Sequence, residues 1–596
     1  MDARNVYTLL LEAAEKFGSA PALYEPMGGQ KYRAWNWIEY RQAVEEIAAG
    51  LRCLGLRPGD IVGIDAETRL EFYLADLGVM VAGAVAAAVY TTYPPAETLK
   101  TFRACDARAI IVENPKVLGA LLSAAERPLG VKWILLTGEA DEAITLDYVR
   151  QMGANAITAD PGLPGRLRAE VTPQDFAILY LTSGATGEPK MGLVTHAALA
   201  ANVDMGPAAI PLGPDHTTIA FLPSAHITQR VAMELLPIRV GMPVHFSEGL
   251  SKLPHELKAV RPTFLVAPPR VWERMYASIC TEIGKKGAVT QRIFYGALGL
   301  GLEASKRRSN GKPVPGWLER SLRIADRVVF SKIKERLGGR LQFAVSGAAP
   351  LGKDLADFYA SIGMPLYEGY GLTEGGIVAL NPMDRPKSGS IGKALEGVNM
   401  RLGDDGELLI HSPTLFSGYY KDPAATEDVL RDGWLHTGDV AEFDGEGYIY
   451  ITGRKKELLV ASSGKKIFPA RIETLLKMEP LVNQVLLLGD KMPYVAALFT
   501  LNAPAAESLK GMEEFKGRPA GEIVAAAPVV AEMKKMIARV NKQLAPFEQI
   551  RRYHILERDF TIEDGELTPT MKVRRARVLE NHRRIISTLF LGKDSE

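Results

Sequence analysis

A short loop rich in hydroxyl groups and glycine follows a predicted apolar strand in the first third of the chain. The strand, Phe176 to Leu181, runs directly into Thr182-Ser183-Gly184-Ala185-Thr186-Gly187-Glu188-Pro189-Lys190. Glycine lets backbone N–H groups approach a ligand, hydroxyls donate hydrogen bonds, and a lysine ammonium neutralises charge, so this composition suits phosphate. The spacing differs from the G-x-x-x-x-G-K-S/T of P-loop NTPases, because Gly184, Gly187 and Lys190 fall three apart. Taken alone, the loop predicts either a phosphate site or a plain surface turn.

Further segments along the chain contain polar residues that could act on a bound nucleotide. They are FLPSAHITQR (221–230), VSGAAPL (345–351), YEGYGLTE (367–374), GWLHTGDV (433–440), ITGRKKELLVASSGKKIFPARIE (451–473) and LTPTMKVRR (567–575). Each has a simple structural interpretation: His226 as a core histidine, Glu374 as a helix-start carboxylate, Asp439 as a turn residue and Lys572 as a solvated cation.

In order and spacing, these segments and the loop resemble the AMP-forming adenylating superfamily, which includes acyl-CoA synthetases, luciferases and peptide-synthetase adenylation domains. The resemblance extends from about residue 8 to about residue 590. Within the superfamily, YEGYGLTE, LTPTMKVRR, APPRVWERMY (267–276) and a basic helical region at 285–337 look like long-chain fatty acyl-CoA synthetases.

The resemblance implies roles for individual residues. Lys572 is the catalytic lysine and His226 lies near the substrate carboxylate. Glu374, with Thr186 nearby, would hold Mg²⁺, Asp439 and Arg454 would bind the ribose, and Lys456 would be the pivot of a domain hinge. The residues assigned to nucleotide binding are Thr182, Ser183, Gly184, Thr186, Gly187, Lys190, Gly347, Ala348, Ala349, Glu368, Gly369, Tyr370, Gly371, Thr373, Asp439, Arg454, Lys456 and Gly464.

The implied reaction joins a medium- to long-chain fatty acid to coenzyme A through an acyl-adenylate, using ATP and Mg²⁺ and releasing AMP and pyrophosphate. An in-line displacement at phosphorus depends on positioning and charge neutralisation rather than on a covalent protein intermediate. Small residues at Ala348, Ala349, Gly369, Gly371, Gly375 and Gly376 would leave room for an alkyl chain or serve close packing.

Two departures from the family pattern leave other functions open. Ala185 stands where the family usually has Thr, and Met191 stands where it usually has Gly. The alternatives are an acyl-AMP ligase that loads a carrier protein, and a catalytically silent nucleotide- or acyl-binding protein. The presence of Glu374, Asp439, Arg454 and Lys572 favours the active enzyme.

The elements that must position these residues alternate between apolar strands and helices. Periodicity predicts a helix over 37–54 and strands over 61–64, 109–112, 133–136 and 264–267. This pattern is typical of an α/β protein with layered sheets. The pattern of predicted strands and helices changes near Gly453-Arg454. We therefore expect a large N-terminal α/β domain (1–453) and a mobile small α+β domain (454–596), joined by a hinge.

Composition limits the classes of function. The 596 residues are 47% hydrophobic and 24% charged with a formal net charge of +1, which favours a soluble enzyme and gives no general attraction to nucleic acid. The apolar run Leu77 to Tyr90 is shorter than the ~20 residues of a membrane span, so it predicts a buried helix and strand in a cytoplasmic protein. The basic helical region predicts a solvated face, with contact to a membrane surface or to anionic phosphates as alternatives. Monomer and homodimer both remain open.

Overall fold

The computed structural model describes residues 4–124, 130–183, 189–515, 517–568 and 571–590. The strands are β1 (Pro21–Pro26), β2 (Tyr32–Asn36), β3 (Ile61–Asp65), β4 (Val85–Ala88), β5 (Ala109–Val112), β6 (Lys132–Leu135), β7 (Ile144–Thr145), β8 (Phe176–Ser183), β9 (Pro189–Thr195), β10 (Thr218–Ala220), β11 (Val244–Phe246), β12 (Phe264–Ala267), β13 (Phe343–Ser346), β14 (Leu366–Leu372), β15 (Gly376–Leu380), β16 (Lys393–Ala394), β17 (Asn399–Leu402), β18 (Glu407–His411), β19 (Gly418–Tyr419), β20 (Leu430–Arg431), β21 (Trp434–Phe443), β22 (Ile449–Arg454), β23 (Leu459–Val460), β24 (Lys466–Ile467), β25 (Val482–Leu488), β26 (Val495–Leu501) and β27 (Ile550–Ile555).

The α-helices are α1 (Val6–Phe17), α2 (Trp37–Cys53), α3 (Leu70–Val81), α4 (Pro95–Ala104), α5 (Pro115–Ser123), α6 (Leu146–Ala159), α7 (Leu163–Glu170), α8 (His196–Asp204), α9 (Gly206–Ala209), α10 (Leu236–Val240), α11 (Leu253–Val260), α12 (Pro269–Gly284), α13 (Ala288–Ser309), α14 (Gly316–Ala325), α15 (Ser331–Lys334), α16 (Lys353–Ser361), α17 (Pro423–Val429), α18 (Pro469–Lys477), α19 (Ala503–Glu507), α20 (Ala520–Val524), α21 (Ala527–Asn541), α22 (Arg575–Asn581) and α23 (Arg583–Phe590). Gln229–Leu235 and Asp326–Phe330 are π-helical, and Glu335–Leu337, Lys455–Glu457 and Glu513–Phe515 are 3₁₀ turns.

The predicted α/β class is confirmed by the sheets. The largest has the order β19-β9-β8-β4-β3-β5-β6-β7, parallel from β8 to β7 and antiparallel at β9 and β19. A second, five-stranded sheet has the order β12-β13-β14-β15-β16. Another five-stranded sheet has the order β17-β18-β21-β20, with β22 on β21, and a four-stranded sheet has the order β10-β11-β1-β2. Strands β3, β4 and β5 are buried along their whole length, as expected for parallel strands covered on both faces.

The predicted helix over 37–54 is α2, which starts at a capping box between Asn36 and Glu39. The apolar run Leu77 to Tyr90 is the end of α3 followed by β4, and all of it is buried. In the described parts of the chain, no helix is long and apolar enough to cross a membrane.

The C-terminal residues build their own core. Strands β25, β26 and β27 form a sheet, and a cluster of buried side chains from Leu459 to Ile555 packs on it together with α18 and α21. The largest N-terminal cluster ends at Ile449, and the 3₁₀ turn Lys455–Glu457 lies between the two. A large N-terminal domain and a small C-terminal domain are therefore observed, while the limits 1–453 and 454–596 and the mobility of the small domain stay a prediction.

Candidate active site

The predicted phosphate loop joins β8 to β9. Thr182 and Ser183 end β8, and the strand register pairs Thr182 with Lys190. The loop residues Gly184, Ala185, Thr186 and Gly187 lie outside the described residues, so phosphate binding by this loop stays a prediction. Met191 packs against the apolar cluster that contains Leu179 and Leu181, which accommodates its bulk within the fold.

Tyr419 connects the phosphate-loop lysine to the predicted metal carboxylate. Strand β19 pairs with β9, which brings the Tyr419 ring under Lys190, whose Nζ is 4.6 Å from the ring centre. The Tyr419 hydroxyl donates a 2.7 Å hydrogen bond to Glu374 Oε1. Burial raises the pKa of Tyr419, and the charge of Glu374 raises it further, so the phenol keeps its proton and remains a donor. Sequence analysis missed Tyr419, because nothing in GYYKDP marks the first tyrosine over the second.

Asp439 is the centre of a second polar cluster. It is buried on β21, where the register sets it opposite Arg454 of β22. Arg454 Nε is 2.9 Å from Asp439 Oδ1, and the Tyr370 hydroxyl donates a 2.5 Å hydrogen bond to Oδ2. Burial and then the negative charge of Asp439 raise the pKa of Tyr370, while Asp439 raises that of Arg454. A carboxylate has about four lone-pair sites, so both oxygens can still accept ligand hydroxyls.

Lys572 reaches this cluster from the C-terminal domain. Two hydrogen bonds to Thr568 hold it: its N–H donates to Thr568 Oγ1 at 3.0 Å, and its C=O accepts from the Thr568 N–H at 2.8 Å. Desolvation by the surrounding cleft lowers the pKa of Lys572, and the Arg454 charge lowers it further. Carboxylates oppose that shift, and those close enough to do so are Asp439, Glu457 and Glu374. Lys572 is therefore near Asp439, Arg454 and Glu374, while the roles predicted for these residues stay predictions.

His226 of the N-terminal domain lies close enough to Lys572 for the lysine charge to act on it. Burial lowers the pKa of His226 to about 4, and the positive charge of Lys572 adds to that effect. Its Nδ1 accepts a 3.1 Å hydrogen bond from the Thr228 N–H, which orients the ring. The imidazole is therefore neutral over the ordinary pH range and adds no charge to the cleft.

The end of the His226 segment is anchored away from the cleft. Arg230 forms an ion pair with Asp76 of α3, and both side chains are fully buried. Glu234, one π-helical turn further, is buried beside them, and burial raises its pKa well above the ordinary value, with the Asp76 charge adding to the shift. Sequence analysis did not anticipate this pair, since 154 residues separate the two partners.

The predicted adenine segments follow β13 and run along β14. Gly347, Ala348 and Ala349 form the loop after β13, with Ala348 at a φ of 68°. Glu368 on β14 is buried, and its Oε1 accepts a 3.0 Å hydrogen bond from the Leu351 N–H at the end of that loop. Burial raises the pKa of Glu368 to about 8. Glu368 thus positions the loop, and direct nucleotide contact by it or by Thr373 stays a prediction.

The two remaining predicted positions lie around the hinge. Lys456 is in the 3₁₀ turn Lys455–Glu457, and Gly464 is in the turn between β23 and β24 at a φ of 79°. Across the described ranges, no hydrogen bond or ion pair joins either residue to the Asp439 cluster. Their roles stay predictions.

An apolar cavity of about 90 Å³ lies between the His226 segment and the second sheet. Its wall includes Ile227 from that segment and Val231 and Ala232 from the π-helical turn Gln229–Leu235, and small residues also line it: Gly347, Ala348, Gly369 and Gly371. Room for an alkyl chain was expected at these last three. Close packing also explains three of the glycines. A Cβ at Gly371 would lie 2.6 Å from the Gly376 carbonyl oxygen, one at Gly375 would lie 2.9 Å from the Leu372 side chain, and one at Gly376 would lie 2.9 Å from Asn202 Oδ1.

Comparisons with known proteins cover both domains. Residues 10–420 match the model of an AMP-binding enzyme, and residues 456–594 match that of an AMP-binding enzyme C-terminal domain. The long-chain-fatty-acid–CoA ligase FadD15 of Mycobacterium bovis is 33% identical over 565 residues, which cover 93% of this chain and 92% of that protein. The ligase ACSBG2 of Xenopus laevis is 29% identical over 629 residues, 98% of this chain and 83% of that protein.

Solved structures show the same fold. The adenylation domain of a carboxylate reductase from Mycobacterium chelonae has a TM-score of 0.75 at 20% identity, covering 99% of this chain and 92% of that one. The anthranilate CoA ligase AuaEII in complex with anthranoyl-AMP has a TM-score of 0.75 at 18% identity and covers 98% of each chain.

Proposed function

The chain belongs to the AMP-binding enzyme family, and we propose on this premise that it activates a fatty acid with ATP and transfers the acyl group to coenzyme A. Relatives named long-chain-fatty-acid–CoA ligases align over more than nine-tenths of the chain. The reaction has two halves: the fatty carboxylate displaces pyrophosphate from ATP to form an acyl-adenylate, and the thiol of coenzyme A then displaces AMP.

The observation that carries the proposal is the meeting of Lys572 with Asp439 and His226 in one cleft between the domains. In the first half-reaction, negative charge accumulates on the oxygens around the α-phosphorus. A preorganised ammonium in a partly desolvated cleft stabilises that charge without reorganisation. His226, being neutral, can orient the incoming carboxylate without binding it as an ion pair, so the carboxylate keeps its nucleophilic character.

Asp439 is proposed to accept the ribose hydroxyls. Its position is set by Arg454 from the neighbouring strand and by the Tyr370 hydroxyl, so the carboxylate is held rigid before the nucleotide arrives. Glu368 accepts a hydrogen bond from the Leu351 N–H and so fixes the loop after β13. This loop would lie along the adenine. The apolar cavity beside His226 supplies the direction in which the acyl chain would extend.

Glu374 is proposed to hold Mg²⁺. Mg²⁺ prefers oxygen ligands, keeps several waters and is usually bound through one or two carboxylates plus substrate phosphates. The described residues contain no group of three or more His, Cys, Asp or Glu side chains that could hold a metal by themselves, so the donor set fits an ion that arrives with ATP. The ion would neutralise phosphate charge. Thr186, the second predicted ligand, remains part of the proposal.

Lys572 should serve only the first half-reaction, because its charge is needed while negative charge builds at the α-phosphorus. Lys572→Ala is expected to lower adenylate formation at least roughly hundredfold, the scale of losing one transition-state donor. The same variant should convert supplied acyl-adenylate and coenzyme A to thioester at nearly the wild-type rate. Pyrophosphate release and thioester formation measure the two halves separately.

The controls are Lys534→Ala, an exposed lysine of α21 in the same domain, and wild type on saturated acids from octanoate to eicosanoate. If both half-reactions fell together in Lys572→Ala, the assigned role would be wrong. If wild type formed adenylate from these acids but never a coenzyme A thioester, coenzyme A would not be the acyl acceptor, and a carrier protein would take its place.

A further inference from the structure

One continuous helical run exposes large apolar side chains beside arginines. It consists of α14, the π-helical turn Asp326–Phe330 and α15. One side of the run packs on the protein through Leu318, Ala325 and Phe330, which belong to a buried cluster. On an adjoining side Trp317, Ile324 and Val328 are 63%, 66% and 52% exposed.

The exposed apolar residues fall on a single stripe. Trp317, Ile324 and Val328 are spaced by seven and four residues, so they lie above one another on the helix surface. Arg320, Arg323 and Arg327 line one flank of the stripe, all of them exposed. Within the described ranges, none of the three arginines forms an ion pair. The guanidinium groups are therefore available to an external anion.

Helix α13 also exposes apolar side chains next to an arginine. It contacts α14 and exposes Val289 (71%) and Ile293 (52%) near its N-terminus, with Arg292 also exposed. Soluble proteins expose single apolar residues routinely, but several large apolar residues exposed on one helical stripe mark an interaction surface.

Charge distribution favours an anionic partner for this surface. Residues 285–337 contain thirteen Lys and Arg against four Asp and Glu, whereas the whole chain has a net charge of +1. The rest of the molecule is therefore net negative. An anionic plane attracts the helical surface and repels the remainder, which orients the protein with these helices towards the plane. A second copy of the chain is disfavoured, because a twofold contact would oppose like charges.

The side chains suit a lipid bilayer in particular. Tryptophan places an apolar ring and a polar N–H at the headgroup level, and isoleucine and valine bury at the acyl boundary. Arginine lays its apolar stem along such a surface and pairs its planar guanidinium with phosphate. We propose that the face formed by Trp317, Ile324 and Val328 with Arg320, Arg323 and Arg327 docks on the surface of an anionic phospholipid bilayer.

The docking has a consequence that rests on the proposed function. A fatty acid partitions into bilayers, so an enzyme that docks there takes its substrate from the lipid phase rather than from dilute solution. Binding itself requires neither ATP nor a fatty acid, so the test below separates failure of the docking from failure of the proposed reaction.

The test is flotation of full-length protein with vesicles of phosphatidylcholine and phosphatidylglycerol, compared with pure phosphatidylcholine vesicles, without nucleotide or substrate. Wild type should bind the anionic vesicles and dissociate at high salt. Replacing the three arginines (Arg320→Gln, Arg323→Gln, Arg327→Gln) should lower the partition coefficient roughly hundredfold, at about fivefold per charge. Trp317→Ser with Ile324→Ser should lower it at least roughly tenfold.

Leu250→Ser is the matched control, since Leu250 is 67% exposed in the loop before α11 and does not belong to the helical run. It should bind vesicles like wild type. Activity on albumin-delivered fatty acid verifies that the variants fold, because none of the replaced residues lies in the cleft. Equal binding by wild type and both variants, or no binding by wild type, would overturn the proposal. A wild-type dimer that Trp317→Ser with Ile324→Ser converts to a monomer would assign the face to a second copy instead.

Discussion

Tyr419→Phe offers a specific test of how the metal carboxylate is held. The substitution removes one oxygen and keeps the ring. It therefore deletes the 2.7 Å hydrogen bond to Glu374 Oε1 but retains the aromatic face under Lys190. Positioning of metal-binding side chains by hydrogen bonds from neighbouring groups typically changes metal affinity by 10- to 100-fold. We expect the variant to fold normally and to require more Mg²⁺ for adenylate formation.

The magnitude follows from the hydrogen bond that is lost. A hydrogen bond to a charged group contributes roughly 1.5–3 kcal/mol. Glu374 is only partly buried, so water can replace the phenol and the lower end of that range applies. At 1.36 kcal/mol per factor of ten, about 1.5 kcal/mol corresponds to a roughly tenfold rise in the Mg²⁺ concentration at half-maximal rate.

The assay is pyrophosphate–ATP exchange at fixed ATP and fatty acid while Mg²⁺ is varied. Direct calorimetric titration of Mg²⁺·ATP provides a second readout that does not depend on turnover. The matched control is Tyr420→Phe, which deletes a 2.9 Å hydrogen bond from the adjacent tyrosine to the exposed Asp106. That variant should keep the wild-type Mg²⁺ dependence.

Two results would refute this reasoning. Superimposable Mg²⁺ curves for Tyr419→Phe and wild type would mean that the hydroxyl does not orient a metal ligand. A lower maximal rate with an unchanged Mg²⁺ midpoint and unchanged calorimetric affinity would mean that Tyr419 acts on Lys190 or on folding rather than on Glu374.

Two further predictions concern the acyl cavity and a buried histidine. Ala232→Phe places a ring in the cavity of about 90 Å³, so kcat/KM for hexadecanoate should fall at least roughly tenfold relative to octanoate; an unchanged ratio would place the acyl chain elsewhere. Burial lowers the pKa of His196 to about 4. Below pH 6.5 the unfolded chain therefore binds a proton that the folded chain does not. The free energy of unfolding should fall by up to ~3 kcal/mol between pH 6.5 and 4. Denaturant titrations should show that His196→Gln loses less unfolding free energy than wild type over this pH range. An equal loss in the two proteins would mean that His196 is not the group responsible.

Much of the fold could be predicted from the sequence alone, because the local pattern of residues in each element indicates its conformation. Strands β3, β5 and β12 are continuous apolar runs since both of their faces are covered, and α2 shows the period of a helix with one buried side. Motif residues such as Asp439 and Lys572 could likewise be named, because their neighbours along the chain carry the resemblance.

What the chain could not reveal depends on contacts between distant segments. The Tyr419–Glu374 and Tyr370–Asp439 hydrogen bonds span 45 and 69 residues, and the approach of Lys572 to His226 joins two domains. Gly376 and Gly369 have the same residue type, yet a Cβ at Gly376 would lie 2.9 Å from Asn202 Oδ1, whereas Gly369 lines the cavity and a Cβ there would come no closer than 3.3 Å to a neighbour. From the sequence, Trp317 is an ordinary apolar residue of a helix, and only the packing of α14 shows that it is exposed. Periodicity reports the conformation of one segment, whereas burial, exposure and pairing are set by whichever other segment packs against it, and only the tertiary structure decides that.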